Sequence, residues 1–403
     1  MLGRRNRGRW STLAAALGVL VLVISAGWLT LAWIRAGVTV ADAQASVLAF
    51  LLAAAVAAAV LVEWVHRRCA AAAAPATAEQ VGQAAATLAE VVAEQWAREA
   101  TARSLGDPEP MPVRWRLSAT ASGTPVMDHP EVIATSGLTF AGSSGQLTEL
   151  VAAFRRLDRR RLVITGGPGT GKTTLALQLL LELLDHPQPN EPVPVLFSLV
   201  GWDPQEQPRL QDWLTDRLDR DYPALRAFGV DAARALVERG KILPVLDGLD
   251  EVPATLRPGI ITALNDVALP AKSGLILTSR RGEYAAAVAG AGDVLTAAAV
   301  IAPLALTRID AASYLRKHLS PDPGAAWSAV LGQLETGIAP DLAAVTANPL
   351  GLWLVRTVYL DAHWDPTPLV DDTHPDRSGH PTLQAHLLDQ LIPAVLHSRP
   401  PTP

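Results

Sequence analysis

Between Leu162 and Leu184 the chain passes from a short apolar stretch, through GGPGTGK, into the leucine-rich run TTLALQLLLELL. Few arrangements other than strand, glycine turn and helix accommodate that order. Gly166, Gly167, Gly169 and Gly171 carry no Cβ, so successive backbone N–H groups can turn inward around an anion while the following helix points its positive end at it. The spacing G-x-x-x-x-G-K-T in this context is that of a phosphate-binding loop, with Pro168, Thr170 and Thr174 completing the stretch in contact with the anion. Lys172 is expected to reach the β- and γ-phosphates as a point charge. The Thr173 hydroxyl is expected in a Mg²⁺ shell made otherwise of phosphate oxygens and water. A glycine-rich turn that binds nothing would leave both the Lys-Thr pair and its flanking elements unexplained.

A nucleoside triphosphate site needs a second strand that ends in acid, and KILPVLDGLDEVP supplies it. Asp247 closes the apolar run Ile242 to Leu246, where a carboxylate emerges at the carboxyl edge of a parallel sheet, and is the expected Mg²⁺ partner. Asp250 and Glu251 follow on the turn. One of them is expected to orient or deprotonate the attacking water, and the sequence does not choose between them. Pro244 inside this run predicts a bulge or a late strand start, because proline cannot donate to the ladder. A third strand, GLILTSRRGEY, ends in Thr278, Ser279 and Arg280, level with the phosphates if it is a parallel neighbour. Arg280 could read the γ-phosphate through its fork of donors; the adjacent Arg281 is the alternative.

With GGPGTGKT, DGLDE and TSR in hand, the chain resembles the NACHT family of STAND-type P-loop NTPases over roughly residues 140–398. It looks like the membrane-anchored members found in actinobacteria. The stretch TANPLGLWLV adds to the likeness, with Asn348, Pro349 and Leu350 where the family's NPL motif packs by the adenine. The resemblance implies ATP binding, slow hydrolysis, and use of the ATP or ADP state as a switch for homo-oligomerisation and for binding an unidentified protein partner. It also maps the acids that assist hydrolysis onto Asp250 and Glu251. ATP rather than GTP rests on the resemblance, the chain having no N-K-x-D sequence. No internal repeat of about 20 to 50 residues is found, so the chain reads as a shortened member or one whose sensing is done elsewhere. The alternative function is a membrane scaffold that binds ATP or ADP without hydrolysing it.

At 49% hydrophobic residues and a mean hydropathy of +0.22, the chain is too apolar to be wholly soluble, and the excess lies at the front. Residues 11–34 contain no charge and as a helix would span about 36 Å, enough for a bilayer core of about 30 Å. A second apolar run, 45–65, follows a break containing Arg35 and Asp42. Arg4, Arg5, Arg7 and Arg9 precede the first run and His66, Arg67 and Arg68 follow the second, so a transmembrane hairpin with both ends cytoplasmic is expected. That places the phosphate loop on the cytoplasmic side of a cell membrane. A net charge of −5 leaves no broad basic field for nucleic acid. Cys69, the one cysteine, excludes an intramolecular disulfide, and the histidines show no ligand spacing, so Mg²⁺ arriving with the nucleotide is the one metal expected.

The expected organisation is a basic N-terminus (1–10), two spans (11–34 and 45–65), a stalk helix (77–105), a linker (106–139), an α/β P-loop NTPase core with a parallel sheet (140–300), and a helical lid with a truncated winged-helix-like segment (301–403). Val81, Leu88, Val91, Val92 and Trp96 are placed near one face of the stalk. Arg155, Arg156, Arg159, Arg160 and Arg161 read as a solvated helix face and turn.

Overall fold

The computed structural model describes residues 75–102, 111–121, 123–135, 141–143, 146–266, 274–377 and 379–398. The expected membrane hairpin lies outside them, as does the basic N-terminus. Among the described residues no helix is long and apolar enough to cross a membrane.

Apolar runs become the strands of a seven-stranded sheet. In chain order the strands are β1 (Arg114–Leu117), the small hairpin β2 (Thr120–Ala121) and β3 (Thr124–Pro125), β4 (Ala141–Ser143), β5 (Arg161–Thr165), β6 (Val193–Ser198), β7 (Ile242–Asp247), β8 (Leu275–Ser279) and β9 (Ala298–Pro303). The order across the main sheet is β4-β1-β9-β5-β8-β7-β6. β5 to β9 pair in parallel, and β1 and β4 close one side in antiparallel fashion. Every residue of β5 and β8 is buried, as parallel strands covered on both faces require. The helix that follows the glycine turn, Lys172–Asp185, lies across β5 to β8. It is covered in turn by helices Ala78–Ala102 and Leu147–Arg156.

Several expectations change here. The tract read as a linker contains β1, which hydrogen-bonds alongside β9 with Trp115 3% exposed. Its alternation of apolar and charged residues over four positions is too short a signal to read as a strand without the neighbour that pairs with it. In the N-terminal helix the buried stripe is Val81, Ala84, Leu88 and Val92, while Val91 is 42% exposed. Ala84 replaces Val91 because burial follows the angular position on the helix rather than side-chain size. Pro244 sits inside β7 without a bulge: the ladder to β6 runs unbroken from Ile242 to Asp247, and pairing with β8 starts one residue after the proline, at Val245. A proline is tolerated in this central strand because the ladder it would interrupt begins beyond it.

The arginines before the loop are not simply solvated. Arg155 grips Glu191 with two donors, Nε at 3.0 Å and Nη2 at 2.6 Å, and Arg160 adds Nη1 at 3.2 Å. Gln188 N–H donates to the same carboxylate at 3.0 Å. Arg161 is 2% exposed and donates to Thr296 O; burial, with Arg159 nearby, pulls its guanidinium down to about 10.

Beyond β9 come helices Arg308–His318, Gly324–Thr336, Pro340–Thr346, Pro349–Val355 and Leu383–Ser398. Pro340 and Pro349 are first residues of their helices, where the missing N–H costs nothing.

Burial raises the Glu191 carboxyl, but its arginine and backbone partners outweigh that and hold it below its ordinary 4.5. Its stabilising contribution is therefore present above the ordinary carboxylate range and lost as pH falls through the lowered value. Glu191→Gln should cost about 2 kcal/mol at pH 7. In urea unfolding, that deficit against wild type should shrink progressively below pH 4.5.

Candidate functional site

β5 delivers the chain to the turn between two neighbours that pin it. Thr165 Oγ1 donates to Ile301 O on β9 at 3.0 Å, and Gly166 N–H donates to Ser279 O on β8 at 3.2 Å. The turn then passes through Gly169 (φ 71°) and Gly171 (φ 83°), left-handed positions that glycine adopts without strain. Gly171 is the N-cap of the helix that starts at Lys172. A Cβ on Gly166 would clash with Thr170 Oγ1 and crowd the Pro303 ring, so a side chain there would force the turn's own hydroxyl to move.

Lys172 Nζ donates to Gly167 O at 3.0 Å, and Thr170 Oγ1 donates to the same carbonyl at 2.9 Å. Burial lowers the lysine below its ordinary value. Asp250, Asp247 and Glu283 oppose that shift, and Arg280 reinforces it. The ammonium thus sits partly desolvated among carboxylates at the mouth of the turn. Such a charge interacts strongly with an incoming anion because little water screens it.

The two distant segments meet on one carboxylate. Thr173 Oγ1 lies 3.0 and 3.1 Å from the two Asp247 oxygens, and Thr278 Oγ1 donates to Asp247 Oδ1 at 2.5 Å. Thr278 Oγ1 also accepts from Gly248 N–H at 2.9 Å. Sheet order explains the meeting. β8 lies between β5 and β7, and its register with each brings Thr278 level with Ile164 on one side and one step beyond Leu277, opposite Asp247, on the other.

The two acids left open by the sequence occupy different environments. Asp250, with its side chain 9% exposed, accepts from Arg280 N–H at 3.2 Å and from Arg280 Nε at 3.0 Å. Glu251 is exposed, lies over Gly248, and makes no side-chain hydrogen bond or ion pair among the described residues. The arginine pair divides as well. Arg280 faces Asp250 and Glu283, whereas Arg281 turns away to Ser118 Oγ and Thr120 O, bracing the segment after β1. Arg257, which sequence reasoning passed over, donates to Asp250 O and Val252 O at 2.8 Å each and fixes the acidic turn. Its only sequence signal is position, shortly after an acidic box.

Pro349 was expected near the base of a nucleotide, and the structure brings its neighbours to the phosphate loop. Asn348 Nδ2 donates to Pro168 O at 3.0 Å, Leu350 N–H donates to Gly169 O at 3.1 Å, and the Leu350 side chain covers Gly169. Pro349 lies between these two contacts, as the first residue of its helix.

A hard cation suits the donors present. One carboxylate and one hydroxyl, adjacent to a glycine turn at the start of a helix, are oxygen donors that suit Mg²⁺, an ion that usually takes its remaining oxygens from phosphate and water. Among the described residues no three His, Cys, Asp or Glu side chains converge as a self-contained metal cluster. The Ser279 hydroxyl, fully buried beside the turn, has no partner among the described residues.

A parallel-dominated sheet, a glycine turn running into a helix, and an acid-tipped strand joined to that helix's first threonine fit the class of P-loop NTPases. Residues 160–322, less than half of the 403-residue chain, match the family model for the NACHT domain, itself a P-loop NTPase family. No curated protein matches the chain.

Thr278→Val should expose how far the network depends on one hydroxyl. It removes a bond to Asp247 and strands the buried Gly248 N–H, so stability should fall by about 1–3 kcal/mol. The urea midpoint should drop with the slope unchanged.

Proposed function

We propose that the chain is a nucleotide-dependent signalling ATPase tethered to the cytoplasmic face of a membrane, whose ATP or ADP state governs self-association or partner binding. The observation that carries the nucleotide reading is the Thr173–Asp247–Thr278 network, set against the glycine turn and Lys172. The NACHT match over residues 160–322 supports nucleotide binding and signalling. The tether rests on the apolar runs 11–34 and 45–65 and the arginines around them.

In this reading the loop amides and Lys172 hold the triphosphate and stabilise charge building on the leaving ADP oxygen. Thr173 and Asp247 would hold Mg²⁺, which would supply positive charge to neutralise the phosphates. Glu251 takes the water: its carboxylate is exposed and uncommitted, able to orient the nucleophile and accept its proton as the bond from water to the γ-phosphorus forms and the bond to ADP breaks. Asp250 instead positions Arg280 through its bonds to the guanidinium and the backbone N–H.

Lys172→Ala should abolish magnesium-nucleotide binding by calorimetry; tight ATP binding in that variant would remove the assignment. Glu251→Gln should retain ATP while slowing single-turnover phosphate release at least a hundredfold, a typical worth of a positioned acid–base group being about 10²–10⁴. Wild-type release in that variant would transfer the role to Asp250. Wild-type protein that binds ATP yet releases no phosphate, with or without lipid, would identify a scaffold. Particle size in detergent with ADP and with a non-hydrolysable ATP analogue tests the switch.

A further inference from the structure

Three successive carbonyl oxygens of the phosphate loop are all bonded. Gly167 O receives Lys172 Nζ and Thr170 Oγ1, Pro168 O receives Asn348 Nδ2, and Gly169 O receives Leu350 N–H. The last two donors come from the lid, about 180 residues away in sequence. The lid segment that carries them is itself anchored to the sheet exit, since Leu306 N–H donates to Ala347 O at 2.9 Å.

In a trans peptide the C=O and N–H of one unit point in opposite directions. A donor fixed on Pro168 O therefore sets the direction of the Gly169 N–H, and a donor fixed on Gly169 O sets that of the Thr170 N–H. Both amides are aimed away from the lid, to the inner side of the turn. We propose that Asn348 is a positioning residue, orienting these two loop amides toward a phosphate so that seating of the lid and binding of the anion are coupled. This rests on the phosphate-site reading above and adds how that site is regulated.

One side-chain amide makes both contacts. Asn348 Oδ1 accepts from Leu350 N–H at 3.1 Å as the N-cap of helix Pro349–Val355, while Nδ2 holds Pro168 O. Only this orientation of the amide satisfies a donor on one side and a carbonyl on the other. Close packing adds a second coupling. A Cβ on Gly169 would lie 2.7 Å from Leu350 Cβ, so the loop and the lid touch at a position that admits no side chain. Linkage then requires that a phosphate which favours the oriented loop also favours the seated lid, by the same factor.

Aspartate at 348 can still cap the helix but its carboxylate has no hydrogen to donate to Pro168 O; serine can cap too, and its one O–H sits on the capping oxygen, a bond short of the Nδ2 position that holds Pro168 O. The test uses purified full-length protein and three probes with Mg²⁺: ADP, inorganic pyrophosphate and adenosine. Asn348→Ser and Asn348→Asp should each weaken ADP and pyrophosphate by about threefold to tenfold, the equivalent of one hydrogen bond. Adenosine affinity, which does not use the loop amides, should be unchanged. Thr307→Ala is the control: it removes the cap that accepts from Asp310 N–H in the neighbouring lid helix, and should lower thermal stability while leaving all three affinities alone. Equal loss of adenosine binding in the Asn348 variants, or equal loss of pyrophosphate binding in Thr307→Ala, would reduce the effect to general weakening of the lid and overturn the proposal. Unchanged ADP and pyrophosphate affinities in both Asn348 variants would overturn it alone. Wild-type protein that binds neither phosphate-bearing probe would overturn the phosphate-site reading with it.

Discussion

Holding a run of glycines in one shape is the physical problem on which the rest of this molecule turns. Glycine loses more backbone entropy on ordering than any other residue, so a turn containing Gly166, Gly167, Gly169 and Gly171 is not rigid by itself. Its shape is imposed from outside. β8 and β9 fix its entry through Ser279 O and Ile301 O, its own Lys172 and Thr170 close on Gly167 O, and the segment at the start of helix Pro349–Val355 takes the next two carbonyls. The turn is thus a junction between the sheet and the helices that follow it.

The insertion of β8 between β5 and β7 determines what faces the junction. With β8 interposed, Thr278 holds Asp247 from the neighbouring strand through the shorter of that carboxylate's hydroxyl bonds, while Thr173 reaches it directly from the first turn of the helix. The next residues of β8 then supply the orphaned Ser279 hydroxyl and Arg280 to the same edge. Charge balance follows the same geometry. Lys172 and Arg280 share a small region with Asp247, Asp250 and Glu283, and the engagement of Asp250 by Arg280 leaves Glu251 as the uncommitted carboxylate.

The phosphate loop, the acid-tipped strand and the third strand were legible because each is a contiguous pattern whose conformation depends on neighbours a few residues away. The roles within each pair of look-alikes were not. Asp250 and Glu251 are adjacent acids, and Arg280 and Arg281 are adjacent bases; only the direction in which the backbone turns them separates one from the other. The arginines at 155 and 160 looked like solvated charge because their partner, Glu191, comes more than thirty residues later. β1 was read as linker because a four-residue strand acquires its identity from β9 beside it.

The sequence alone determined the local devices: the glycines that allow a left-handed turn, the lysine and threonine that follow it, the apolar runs that must be buried, and the prolines that begin lid helices. These are short-range consequences of backbone sterics and hydrophobic periodicity. Tertiary structure decided which devices cooperate. Strand order, the hold of Thr278 on Asp247 and the grip of Asn348 on Pro168 O depend on hydrogen bonds between segments far apart in the chain. Such bonds form only after the core has brought their donors and acceptors within about 3 Å of one another.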